Sequence, residues 1–192
     1  MSPIWCVYYY MPRLLSPETC GQIIEMAECY EPQEAIIGDG RQARLDRGYR
    51  RSTVRWLAYG AETSILYEAL TYALRWINDR TWQLDIGSFP AALQYTEYAA
   101  WDRQHYDWHM DFGAGEFVNR KLSISVLLTS DDDYEGGDFE LQDFEIPTEH
   151  RAVLRQQGTA IIFPSFYRHR VTPVTRGKRI SLVGWMGGPT FR

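Results

Sequence analysis

From about residue 91 the chain switches to a hydrophobic period of two, and that switch limits its fold more than any other feature. In Lys121-Leu122-Ser123-Ile124-Ser125-Val126-Leu127-Leu128, positions 122, 124, 126 and 128 share one face, because successive side chains of an extended chain point to opposite sides. Gly137 to Gln142, Gly158 to Phe163 and Lys178 to Val183 read as further short strands. Turn signals separate them at Asp133 to Gly137, at Phe163-Pro164-Ser165 and at Thr175-Arg176-Gly177. The first third reads differently. Ser16 is a suitable N-cap with Pro17 at the first helical position, and the run continues through Ile23, Ile24, Met26 and Ala27. A second helix fits Ala61 to Asn78, with Ile65, Leu66, Ala69, Leu70, Ala73 and Ile77 as its buried stripe. Helices followed by many short strands predict an α+β, mainly β fold: helices packed on one side of a β-sandwich or jelly roll.

Length and charge narrow the possibilities. The 192 residues, 45% of them hydrophobic, suffice for one compact domain over 1–192, with a helical support over about 1–90 and a β core over about 91–188. A net charge of −5 gives a nucleic-acid role no support. Cys6, Cys20 and Cys29 are odd in number and form no CxxC pair, so a disulfide scaffold is not expected and the cysteines read as structural. Residues Met1 to Cys6 do not read as a signal peptide, and no run approaches a membrane span. The expectation is a soluble, cytoplasmic protein with no membrane partner.

The chemistry concentrates in His109-Met110-Asp111, with His169 far along the chain. On a strand or strand end, residues i and i+2 face the same way, so both ligating groups can reach one ion with Met110 turned away. Two imidazoles and a carboxylate are the set with which non-haem iron(II) oxygenases hold one face of the metal. His105-Tyr106-Asp107 is a second H-x-D that spacing alone does not exclude, while His150 lies in a polar stretch and reads as solvated. After His169 comes Arg179, with Ser181 on the same strand face. A guanidinium grips a carboxylate through two parallel bonds and the hydroxyl can add a third, which suits the distal carboxylate of a 2-oxo diacid. Alone, Arg179 reads as an exposed strand arginine in a basic patch with Arg176 and Lys178.

Taken together, the segments resemble the iron(II)- and 2-oxoglutarate-dependent dioxygenases, in the prolyl 4-hydroxylase-like, PKHD-type branch. The likeness is carried by Leu93-Gln94-Tyr95-Thr96-Glu97-Tyr98 leading through Tyr106 to His109-Met110-Asp111. Leu127-Leu128-Thr129-Ser130 with Asp133 to Phe139, Gly158 to Ser165, and His169 to Arg179 ending in Gly184-Trp185 continue it in the family's order. Tyr49-Arg50-Arg51-Ser52 with Trp56-Leu57 is a weaker match ahead of them. The resemblance implies a double-stranded β-helix (jelly-roll, cupin-like) core behind supporting helices. Because the family places a tyrosine three residues before its ligand histidine, as Tyr106 stands to His109, it implies His109, Asp111 and His169 as iron ligands. It also implies Arg179 as the 2-oxoglutarate anchor, with Tyr98 and Ser181 as helpers. Fe(II), 2-oxoglutarate and O2 are the implied cofactors, with ascorbate as a candidate reductant.

The activity implied is hydroxylation of a C–H bond with release of succinate and CO2, on a peptidyl proline or another protein side chain. Tyr95, Trp101, Tyr106, Trp108 and Tyr167 are candidates to floor a proline groove, and Trp101-Asp102-Arg103-Gln104 reads as a loop at the pocket mouth. The retained carboxylate of Asp111 favours hydroxylation over halogenation. A hydroxylase of a free amino acid or small metabolite is the alternative, and a non-catalytic cupin-like metal-binding domain is a further one. A nucleobase demethylase is disfavoured by the acidic charge.

Overall fold

A computed structural model describes residues 6–38 and 43–190; residues 1–5, where the reading of the leader falls, lie outside it. Twelve strands and three α-helices are described: β1 (Tyr9–Met11), α1 (Pro17–Glu28), β2 (Gln33–Glu34), β3 (Arg50–Arg51), β4 (Thr53–Leu57), α2 (Ser64–Asn78), β5 (Leu93–Ala99), β6 (His105–His109), β7 (Arg120–Leu127), β8 (Tyr134–Gly136), β9 (Phe139–Leu141), α3 (Thr148–Leu154), β10 (Ala160–Pro164), β11 (His169–Val171) and β12 (Val174–Gly187). They form two antiparallel sheets, a jelly-roll arrangement as expected. The larger runs β1-β10-β7-β12-β5-β4-β2, with β8 also paired to β12, and the smaller runs β3-β6-β11-β9.

Alternation decides what each face of the large sheet meets. Leu122, Ile124 and Val126 of β7, Leu93 and Tyr95 of β5 and Leu182 of β12 join Ile23 of α1 and Leu66, Leu70, Leu74 and Ile77 of α2 in one core. The intervening residues Ser123, Gln94, Thr96, Tyr98, Arg179 and Ser181 are buried too, but they face away from the helices into the space between the sheets. An antiparallel sheet commonly solvates its second face; here that face is polar and enclosed.

α1 begins where expected, whereas α2 starts at Ser64, three residues after the expected Ala61, and ends as expected at Asn78. Ser16 caps α1 by accepting a bond from the Thr19 amide at 3.1 Å. On α2, Leu66, Tyr67, Leu70, Ala73, Leu74 and Ile77 make the buried stripe, whereas Ile65 is exposed. The stripe is rotated so that the Tyr67 hydroxyl can donate to Leu57 O at 2.8 Å. The first ninety residues also hold strands that the sequence did not announce. β1 and β2 sit at the two edges of the large sheet, and such short segments become strands only through the neighbours they pair with. Between β3 and β4 the chain changes sheets at the buried residue Ser52, which places Arg50 beside the small sheet's β6. The cysteines are all free. Cys20 is buried and its thiol is pushed up to about 11 by desolvation, whereas Cys29 is exposed at the end of α1.

Gly158 shows how tightly the N-terminal segment is seated. Its φ is +78°, and a Cβ there would lie 1.9 Å from Leu15 O. Leu15 N also donates to Gly158 O at 3.1 Å. Gly158→Ala must break this close approach as well as adopt a left-handed backbone. It should lower stability by about 2–4 kcal/mol, measured by urea denaturation; a loss under roughly 0.5 kcal/mol would show that the contact is not needed.

Candidate active site

His169 of β11 and His109 at the end of β6 are direct partners across the small sheet. The chain then bends, and Asp111 lies just beyond the strand. Its amide and that of Phe112 both donate to Ser165 O, at 3.0 and 2.9 Å. Ser123 Oγ of β7 donates to Asp111 Oδ2 at 2.7 Å and shares a hydrogen bond with Ser165 Oγ at 2.9 Å. Arg120 Nη1 adds a longer contact to Asp111 O at 3.4 Å. The carboxylate is thus delivered from one sheet and oriented by the other.

Both imidazoles are oriented through Nδ1, against Asp107 O at 2.8 Å for His109 and Tyr167 O at 3.1 Å for His169. A carbonyl accepts only, so Nδ1 carries the proton and Nε2 presents its lone pair inward, the arrangement that second partners impose on metal-binding histidines. The Nε2 atoms stand 3.8 Å (His109) and 3.5 Å (His169) from Asp111 carboxylate oxygens, and one ligand atom from each of the three residues lies within 4.8 Å of the others. Donors about 2.1 Å from a shared ion stand roughly 3 Å apart, so modest closure would bring this set onto one divalent cation. The donor set fits iron. Tyr106 stacks flat on His109, with centroids 3.4 Å apart and planes at 12°, while Phe163 packs against His169.

Electrostatics favour the same protonation states. Burial and the neighbouring His169 hold His109 well below the usual imidazole value. Burial pushes Asp111 up, but His169, His109, the Ser123 hydroxyl and Arg120 together outweigh it and keep the carboxyl below its ordinary range.

Arg179 lies on β12, in register with Tyr98 of β5. It is 6% exposed, unlike Arg176 and Lys178, whose exposed side chains pair with Glu135 and Glu97. The basic-patch reading of Arg179 therefore fails: alternation turns it inward. Its Nη1 donates to Ser181 Oγ at 3.2 Å and its guanidinium lies 5.7 Å from the Tyr98 ring centre. Among the described residues Arg179 makes no ion pair. Gly137, read from the sequence as the junction of a turn and a strand, gives the side chain its room, because a Cβ there would lie 2.8 Å from Arg179 Cδ. The triad, Arg179, Tyr98 and Ser181 all line one cavity of about 330 Å³.

Residues 93–187 match the 2OG-Fe(II) oxygenase superfamily. The match spans just under half of the chain. Among curated relatives, a PKHD-type hydroxylase of Idiomarina loihiensis is 34% identical over 83 residues, which is 43% of this chain and 37% of that protein. The chain matches less than half the length of the first such relatives. A prolyl-4-hydroxylase of Pseudomonas putida superposes with a TM-score of 0.68 at 19% identity, covering 95% of this chain and 93% of that one. A Trichoplax adhaerens prolyl hydroxylase, solved with a hypoxia inducible factor peptide fragment, gives 0.70 at 14% identity over 95% and 84%. These two likenesses show the shared fold. No described helix is long and apolar enough to cross a membrane.

Other expectations are corrected. The rival His105 has both ring nitrogens on backbone carbonyls, Arg103 O and Gly48 O. His150 is not simply solvated: its Nδ1 is 2.6 Å from the Tyr8 hydroxyl. Trp101 is 82% exposed, and neither it nor Asp102, Arg103 or Gln104 lines the cavity. Asp102 pairs with Arg51, and Gln104 Oε1 accepts from Ala99 N. Of the five proposed groove aromatics only Tyr106 lines the cavity, whose other rings include Trp56, Phe117 and Trp185. Met110 is half-exposed and lines the cavity too, since the strand ends before it. Ser123, Ser165 and Arg120 were missed as partners of Asp111, although Ser123 and Ser125 already stood out as the polar half of β7.

The His109 shift sets a pH dependence. Unfolded His109 takes up a proton near 6.5, whereas the folded one resists it, so its share of stability is intact above about 6.5 and drains as pH falls below that. Asp111 acts at lower pH, contributing above its ordinary 3.8 and losing that contribution as pH falls through its folded value. Thermal melts in chelator should show Tm falling as pH drops from about 6.5 to 5, with a shallower fall in His109→Gln. Identical slopes in the two proteins would contradict the assignment.

Proposed function

We propose that the chain is an Fe(II)- and 2-oxoglutarate-dependent dioxygenase that hydroxylates a C–H bond with release of succinate and CO2. Its substrate in this reading is a prolyl or other side chain presented by a peptide. One observation carries the proposal: a single cavity holds both the His109–Asp111–His169 set and a buried arginine that no described carboxylate neutralises. A 2-oxo diacid needs both, one end for the metal and the other for the guanidinium.

In this assignment His109, Asp111 and His169 hold Fe(II), Arg179 and Ser181 bind the distal carboxylate, and the Tyr98 hydroxyl hydrogen-bonds the co-substrate. When bound, iron with 2-oxoglutarate and O2 supplies the oxidation itself, with ascorbate as a candidate reductant. The protein contributes charge and order. Asp111 would bring one negative charge to the dication, and its retained carboxylate favours hydroxylation over halogenation. Burial of Arg179 strengthens its grip on the carboxylate by excluding water. Phe117, Trp56 and Trp185 give the cavity apolar walls against which an aliphatic ring can pack.

The peptide reading draws on the prolyl hydroxylase fold and on the peptide held by the Trichoplax protein. Hydroxylation of a free amino acid or small metabolite is the second reading, favoured by the modest cavity volume. A non-catalytic metal-binding domain is disfavoured because it would have no use for a buried, unneutralised Arg179.

Asp111→Ala should abolish succinate formation from 2-oxoglutarate, and Arg179→Ala should weaken 2-oxoglutarate binding roughly 100-fold. Succinate release with Fe(II) under O2, and titration of 2-oxoglutarate into the Mn(II)-loaded protein, read the two effects. Full succinate formation by the Asp111 variant would refute the proposal.

A further inference from the structure

We infer that the substrate carries a free carboxylate and that Arg50 binds it beside the metal site. The inference rests on the proposed function, because it requires Arg179 to be occupied by 2-oxoglutarate.

Arg50 is the second deeply buried guanidinium in the cavity, 7% exposed. Its Nε donates to Ser52 Oγ at 3.2 Å, its Nη1 makes only a long contact of 3.4 Å to Ile36 O, and its Nη2 has no partner. Buried N–H groups without an acceptor are rare in folded proteins, and each one calls for an account. Trp185, which lines the same cavity, has a second orphan donor, its buried and unpartnered Nε1. Two unsatisfied donors on residues that line one cavity favour a ligand that brings acceptors.

The position is as informative as the vacancy. The Arg50 guanidinium lies over the Tyr106 ring, 4.4 Å from its centre, and the same ring stacks on His109. A group held by Arg50 is therefore only one aromatic ring away from the metal set. Packing on that ring and the bond to Ser52 also fix the guanidinium in advance, so little order is lost when a ligand arrives.

Charge distinguishes a carboxylate from a peptide carbonyl. Among the described residues, the cavity is lined by three guanidiniums, Arg50, Arg120 and Arg179, and by two carboxylates, Asp111 and Glu116. Asp111 is committed to the histidines, and Arg120 is packed between the Phe117 and Trp185 rings and contacts Asp111 O. With 2-oxoglutarate on Arg179, the buried Arg50 charge is left without an ion-pair partner among the described residues, Glu116 included. A neutral carbonyl would satisfy an N–H but leave that charge in place; a carboxylate meets the Nη1–Nη2 edge with two parallel bonds and cancels it. Such a group comes either from a free or N-acylated amino acid or from the last residue of a peptide.

The test uses full-length protein loaded with Mn(II) and 2-oxoglutarate without oxygen, titrated calorimetrically. The probes are N-acetyl amino acids and short peptides ending in the same residues, each as the free acid and as the amide. We expect at least one acid to bind roughly 30-fold or more tightly than its amide, and Arg50→Gln to erase that difference while 2-oxoglutarate still binds. Binding by N-acetyl acids assigns the small-molecule source, and binding by peptide acids alone assigns a chain terminus; both support the inference. Equal binding of acid and amide, a preference that survives in Arg50→Gln, or no acid binding to a protein that holds 2-oxoglutarate would overturn it. Failure of the wild-type protein to bind 2-oxoglutarate at all would instead bring down the functional reading beneath it.

Discussion

The turn that follows β6 is held to the opposite sheet, and the geometry of the site depends on that attachment. Two consecutive amides, those of Asp111 and Phe112, share the carbonyl of Ser165, and the Ser165 hydroxyl meets the same Ser123 that orients Asp111. Without this clamp the carboxylate would be fixed only relative to His109, two residues before it. With it, a ligand set drawn from three segments keeps one geometry, because both sheets constrain Asp111. The small sheet supplies the histidines and the large sheet fixes the acid.

A second consequence follows from the enclosed face of the large sheet. Polar residues at Ser123, Gln94, Thr96 and Ser181 are costly to bury unless they are hydrogen-bonded. Several satisfy one another, as Gln94 Nε2 does with Thr96 Oγ1 at 2.7 Å, and the arginines stack on rings. What stays unmet is concentrated on guanidinium and indole donors, so the interior is biased toward anionic, acceptor-rich guests. A larger groove of about 550 Å³ beside β9, lined by Trp108, Gln142 and Arg168 among others, holds none of the triad and no comparable cluster of buried charge.

Much of this was legible in the sequence, and the unread part has physical causes. The period-two runs located β7, β10 and β12 because each strand buries one apolar face, and Ser16-Pro17 marked α1 through capping chemistry. The His109–Asp111–His169 set was readable through the resemblance, since H-x-D alone left His105-Tyr106-Asp107 open and Asp111 lies beyond the end of β6. R-x-S, by contrast, places Arg179 and Ser181 on one side of β12. Reading Arg179 as buried, however, required knowing which face of β12 turns inward, and the flanking charges of Arg176 and Lys178 pointed the other way. Strands β1 to β4 were missed because they are short and exist through distant partners. Arg50 and Ser123 carry no local signal at all. One looks like any arginine beside another, Arg51, and the other like a polar residue on a strand; only the closing of the sheets gives them roles.

The place of β12 in the sheet order also bears on how the molecule comes into being. It lies between β7 and β5 at the centre of the large sheet, yet it follows both by many residues in the chain. Until it has been synthesised, β1-β10-β7 and β5-β4-β2 share no hydrogen-bonded strand, and each exposes an edge able to capture a neighbour. Pairings this distant in sequence are slow to form and open to misassembly on the way. The same strand carries Arg179, so the anchor of the cavity and the keystone of the sheet arrive together. A nascent chain that ends before residue 174 has two half-sheets with no strand to join them, and the cavity between the sheets is not yet closed.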